Sequence, residues 1–140
     1  MINRQMAEII RNQQPLTLLQ TTTIKAACEC MRDHRLGAVL VTDERERLVG
    51  IFTGRDAVCR VLAKGRNAGK TTLADVMTRD PDTVSPRRTA IEALRLMRDG
   101  GYRHLPVVEG ERIVGVVSRG DFRGLERDRL DEETGIWERI

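Results

Sequence analysis

The chain has 140 residues, a formal charge of +3 and only 3% aromatic residues. So few rings leave too little stacking surface for a single-strand nucleic-acid binder, and acidic residues interleave with the basic ones. No apolar run approaches the ~20 residues that cross a bilayer, and residues 1–11 lack the basic, apolar and small-residue layout of a secretion signal, so a soluble cytoplasmic protein without membrane attachment is expected.

In chain order, the first residues read as a short helix or arm, and Pro15-Leu16-Thr17-Leu18 as an extended lead-in. Ile24, Ala27, Cys28 and Met31 fall at i, i+3, i+4 and i+7, the apolar stripe of a helix lying on a core. Thr23 stands at its N-cap, but Ala26 occupies the partner position, so only half of a capping box is present. Val39-Leu40-Val41 reads as a strand, residues 43–47 as a charged turn, Gly50-Ile51-Phe52-Thr53 as the end of a second strand, and residues 57–63 as a helix. Residues 64–70, glycine-rich and basic, form a linker.

The same order then returns. Gly50-Ile51-Phe52-Thr53-Gly54-Arg55-Asp56 is matched by Gly115-Val116-Val117-Ser118-Arg119-Gly120-Asp121, the glycines and the aspartates both standing 65 residues apart. Ala90, Ala93, Leu94 and Met97 repeat the helical stripe at an offset of 66, with a full capping box in Thr89 and Glu92. Met31-Arg32-Asp33 recurs outright as Met97-Arg98-Asp99, and Leu105-Pro106-Val107 matches Val39-Leu40-Val41. One additional residue in the charged turn of the first copy changes the offset from 66 to 65, a length change that a polar hairpin loop tolerates. The chain is therefore a duplication, with residues 1–70 as one copy plus its arm and linker and 71–140 as the other. Copies of about 65–70 residues sit near the lower limit for an independent core.

Thr53 and Ser118, each followed three residues later by an aspartate, have the spacing of a helix cap. Two copies in register also suit a ligand: the helix that follows presents free amides to an anion, and a carboxylate beside it can accept both protons of a vicinal diol. Gly50 and Gly115 lie within strands, where a missing side chain lets a ligand or another backbone come close. Cap and ligand roles are compatible. A pI near 9.0 adds a general preference for anionic ligands.

Taken together, these motifs resemble a tandem pair of cystathionine β-synthase (CBS) domains, the Bateman module, over nearly the whole length. The carriers are the two Gly-x-x-Thr/Ser-x-x-Asp motifs, Tyr102-Arg103-His104-Leu105-Pro106-Val107-Val108, and Ala74-Asp75-Val76-Met77 leading to Thr83-Val84-Ser85-Pro86. The resemblance implies an α/β (α+β) fold of two β-α-β-β-α repeats about a pseudo-twofold axis, with clefts for adenine nucleotides. AMP is the first choice, with ATP, ADP or NAD as alternatives and S-adenosylmethionine in some members. By the same resemblance Asp56 and Asp121 would bind ribose hydroxyls, and Thr53 and Ser118 the ribose or α-phosphate. Leu18 and Val84 would supply backbone bonds and an apolar wall to adenine, with Leu40 and Pro106 opposite. Arg103 and His104 match phosphate-binding positions, and Arg55 and Arg119 would add charge. The first copy has Gly37 and Ala38 where the second has Arg103 and His104, so the two clefts would differ. A regulatory module rather than an enzyme is implied, passing its signal to an effector protein, and forming a homodimer to which residues 125–140 (Leu130, Ile136 and Trp137 among them) would contribute.

Rival readings are a structural dimerisation module with vestigial clefts, and a nucleic-acid binder using the basic linker. Gly65-Arg66-Asn67-Ala68-Gly69-Lys70-Thr71 imitates a P-loop, but three residues rather than four separate its glycines, and it follows a helix rather than a strand. Cys28, Cys30 and Cys59 make neither a disulfide framework nor a zinc spacing; Cys28 falls on the core stripe as a small hydrophobe. His34 is expected as an exposed residue at a helix end, and with His104 the only other histidine, no nucleophile or metal arrangement is evident.

Overall fold

The computed structural model describes residues 4–122. Its elements run α1 (Met6–Ile9), β1 (Thr17–Leu19), α2 (Ile24–His34), β2 (Ala38–Thr42), β3 (Leu48–Thr53), α3 (Gly54–Asp56) continuing as a π-helical turn (Ala57–Leu62), α4 (Leu73–Val76), β4 (Thr78–Arg79), α5 (Ala90–Gly100), β5 (His104–Glu109), β6 (Arg112–Ser118) and a 3-10 turn (Arg119–Asp121). This is the mixed α+β architecture the duplication predicts. Residues 15–81 form one compact unit, here the central unit, and of the other described residues 4–14 join 82–122 in a terminal unit.

In the central unit the sheet order is β1-β2-β3-β4, with β1 parallel to β2 and the other pairs antiparallel. The α2 stripe buries Ile24, Ala27 and Met31 against Val39, Val41 and Phe52 of the sheet. Cys28, on the same stripe, is half-buried rather than enclosed, and that partial burial raises its thiol pKa. Thr23 caps α2 despite the missing half of its box, its hydroxyl oxygen accepting the Ala26 amide at 3.2 Å. His34 is exposed at the other end, donating from Nδ1 to the Cys30 carbonyl at 2.9 Å.

The terminal unit carries the β5-β6 hairpin and α5, whose Leu94 and Met97 pack with Leu105 and Val117. Its lead-in is shorter than β1. Leu40 donates its amide to the Leu16 carbonyl at 3.4 Å, whereas Pro106, at the matching place, has no amide to give. Only the Val84–Val107 bridge remains of that parallel ladder.

The short arms explain why the units are not simply the two halves of the chain. Leu73 and Ala74 of α4 donate to the carbonyls of Thr22 and Gln20, both at 2.9 Å. Met6 and Ala7 of α1 donate to Arg88 and Pro86, both at 2.8 Å, which are the matching acceptors in the second copy. Each arm thus inserts beside the other copy's helix start: residues 4–13 do for the terminal unit what residues 71–80 do for the central one. Copies counted along the chain and units counted in space differ by this exchange of arms.

The arms also account for the two strand glycines. A methyl group on Gly50 would come within 2.9 Å of the Thr78 carbonyl, because β4 pairs there. On Gly115 it would meet Ile10 of the first arm at 2.7 Å. In place of a β4 partner, β6 has the Gln13 side chain: its Oε1 accepts the Val116 amide at 2.7 Å and its Nε2 donates to the Val116 carbonyl at 2.9 Å. One amide side chain therefore imitates a strand along one residue of the β6 edge.

Candidate functional site

Both motifs sit where a strand ends and a turn of helix begins, and both are tied to the residue before the first strand of their hairpin. The Gly54 amide donates to the Gly37 carbonyl at 3.0 Å, and the Arg119 amide to the Arg103 carbonyl at 2.9 Å. The duplicated backbone thus puts Gly37 and Arg103 in equivalent places, as the alignment of the copies predicts.

In the central unit the Thr53–Asp56 motif closes as a reciprocal cap. Asp56 Oδ2 accepts the Thr53 amide at 3.0 Å, and Thr53 Oγ1 accepts the Asp56 amide at 3.2 Å. Asp56 is only 8% exposed. Its second oxygen, Oδ1, faces Arg60 Nε at 3.5 Å, and the same guanidinium donates from Nη1 to the carbonyls of Val76 and Met77 at 3.2 and 3.1 Å. No sequence motif marks Arg60. Its signal was the i,i+4 spacing from Asp56, which puts acid and base on one helical face. Arg55 points outward and is exposed.

In the terminal unit Asp121 is exposed. Its Oδ2 accepts the Ser118 amide at 2.7 Å and lies 3.4 Å from the Ser118 hydroxyl; Oδ1 has no hydrogen bond among the described residues. Arg4, from the first arm, donates to the Asp121 backbone carbonyl at 3.1 Å, a second contact the sequence did not announce. His104 pairs with Ser118 across β5 and β6, so Arg103, His104, Ser118 and Asp121 come together on one end of one hairpin. The His104 imidazole is half-buried and its pKa lies below the ordinary value. Burial is the main cause, the Arg103 charge adds to it, and Asp121 pulls the other way. Neither Arg103 nor His104 makes a side-chain hydrogen bond among the described residues.

Of the residues expected to face a base, Leu40, Val84 and Pro106 are buried and Leu18 is half-buried. Val84 donates its amide to Pro106 at 3.1 Å and accepts from Val108 at 2.9 Å, so both its backbone groups are engaged within the fold, and its side chain packs in the core of the terminal unit. The linker gives no P-loop: it follows the helix ending at Leu62 and leads only to the four residues of α4. The tail from 125 to 140 lies outside the described residues. Among those described, no helix is long and apolar enough to cross a membrane and no cluster of His, Cys, Asp and Glu could hold a metal.

The duplicated chain has clear relatives. The sequence profile of the CBS domain matches residues 7–62 and again 73–127, and the chain belongs to the CBS-domain family. It is 40% identical over 108 residues to the CBS domain-containing protein CBSCBSPB1 of Arabidopsis thaliana, a match covering 77% of this chain and 20% of that protein. Over 109 residues it is 34% identical to YhcV of Bacillus subtilis, covering 78% and 76% of the two chains. The chain therefore spans about a fifth of the plant relative but most of the bacterial one. In fold it is similar to the CBS domain protein PAE2072 from Pyrobaculum aerophilum, solved in complex with AMP, with a TM-score of 0.81 at 24% identity over 91% of this chain and 98% of that one.

Proposed function

We propose that this protein is a regulatory module that binds an adenine nucleotide and passes its occupancy on to a partner protein. The observation that carries the reading is the end of the β5-β6 hairpin. An exposed carboxylate with one oxygen uncommitted stands beside an arginine and a histidine that have no hydrogen-bond partner among the described residues. Asp121 suits the vicinal diol of a ribose, Ser118 and Arg119 the atoms between sugar and phosphate, and Arg103 and His104 the phosphate itself, where charge-assisted bonds are strongest. Buried Val84 and Pro106 suit the base. AMP fits this inventory with the fewest groups, and the AMP held by the archaeal neighbour supports the choice; ATP, ADP and NAD share the same adenosine and phosphate.

Self-association belongs to the same proposal. Val58 and Leu62, one helical turn apart, are 56% and 72% exposed, an apolar pair that a second copy would cover. Mass spectrometry of small molecules released by denaturing the purified protein tests the ligand. An adenine nucleotide in the released fraction is expected. Its absence, with no heat on titrating AMP, ATP, ADP or NAD into the protein, would leave a purely structural dimerisation module.

A further inference from the structure

Resting on that nucleotide-sensing reading, we infer that the two motifs have divided their roles: the Asp121 motif is the chain's single nucleotide site, and the Asp56 motif is a structural latch. The sequence makes them look like equals. Their surroundings do not.

A carboxylate that grips a diol must offer oxygens toward solvent, and a neighbouring cation must remain available for the phosphate. Asp56 fails the first condition, and the cation that faces it, Arg60, fails the second, leaving only Arg55 exposed beside the motif. It is 8% exposed, one oxygen holds the Thr53 amide, and the other faces the Arg60 guanidinium. Arg60 is itself fastened to the carbonyls of Val76 and Met77, so it ties the motif to the second arm rather than waiting for a ligand. Gly37 and Ala38 supply no charge at the positions that Arg103 and His104 occupy in the other copy. Turning Asp56 outward would leave the Thr53 amide without its side-chain acceptor and break the Arg60 ion pair, a cost that Arg55 alone would have to offset.

Asp121 meets both conditions. It is exposed and commits only Oδ2, to Ser118. Arg103 is exposed, and its backbone carbonyl is fixed by the Arg119 amide at 2.9 Å, which holds the cation at the head of the motif. His104, the next residue and the first of β5, is half-buried and pairs with Ser118 at the same end of the hairpin, within the cluster that would hold the phosphate.

The test is calorimetric titration of the full chain with AMP and with adenosine. One AMP per chain is expected. Asp121→Asn keeps an acceptor for the Ser118 amide and should abolish measurable AMP binding with no second event left behind. Arg103→Ala, a change at an exposed position, should weaken AMP at least about tenfold while adenosine binds as before, since only the phosphate contact is lost. Two AMP per chain in the wild type, or an intact site remaining in Asp121→Asn, would overturn the division of roles while leaving nucleotide sensing in place. Equal weakening of AMP and adenosine by Arg103→Ala would overturn the assignment of the phosphate to this motif. No binding of AMP to the wild type would overturn the inference and the sensing reading together.

Discussion

Asp56 and Asp121 share one motif but differ in what stands four residues on. Arg60 follows Asp56 and closes over it; Leu125 stands at the corresponding place after Asp121. Replacing Asp56 with Ala leaves a part-buried amide without its side-chain acceptor and breaks the Arg60 ion pair, so a loss of about 1–2 kcal/mol of stability is expected, read as a lower denaturation midpoint in urea. An unchanged midpoint would show that the latch is not a stabilising contact. His104 gives a second handle. Its pKa in the fold lies below the usual 6.5, chiefly through burial. As pH falls through that value the unfolded chain takes the proton first, so stability is full above it and is lost as pH drops toward the folded pKa. Asp43, Asp75 and Glu92, whose pKa values are lowered by hydrogen bonds, begin to matter only in more acidic solution. The melting temperature should therefore fall between about pH 7.5 and pH 5.5, and fall less in His104→Gln. Equal falls in the two proteins would remove His104 from the account.

Among the elements, the helices that rest on the sheets end alike but with different residues. Gly101 closes α5 at φ 71°, and Arg35 closes α2 at φ 55°. An arginine in the left-handed region pays a steric penalty that glycine avoids. Arg35→Gly should accordingly raise stability by roughly 0.5–1 kcal/mol, a shift of a few degrees in the melting curve, whereas a lower melting temperature would mean that the Arg35 side chain contributes more than its backbone costs. The helices, hairpins and caps were legible because period, capping residues and the repeat offset all agreed. The exchange of arms was not. The first arm matches the second at an offset of 67 rather than 66, and Met6-Ala7-Glu8-Ile9 shares little beyond hydropathy with Leu73-Ala74-Asp75-Val76. Nor could the sequence decide between ligand and backbone as the reason for Gly50, which the Thr78 carbonyl settles. Gln13 was equally silent, since no propensity marks a side chain that stands in for a strand.

At the scale of the whole molecule, two units of about equal make-up with unequal motifs suit a device that reads one ligand and reports it elsewhere. A nucleotide changes such a molecule only as far as it binds one arrangement better than another, and Arg4 offers a direct connection, since it joins the first arm to the backbone of Asp121. The measurement that reaches the central claim most directly is a crystal structure of the protein grown with saturating AMP. The account predicts ribose hydroxyls on the Asp121 carboxylate, with the phosphate against Arg103 and His104. A ribose seated on Asp56 instead, or AMP absent from both motifs, would contradict it.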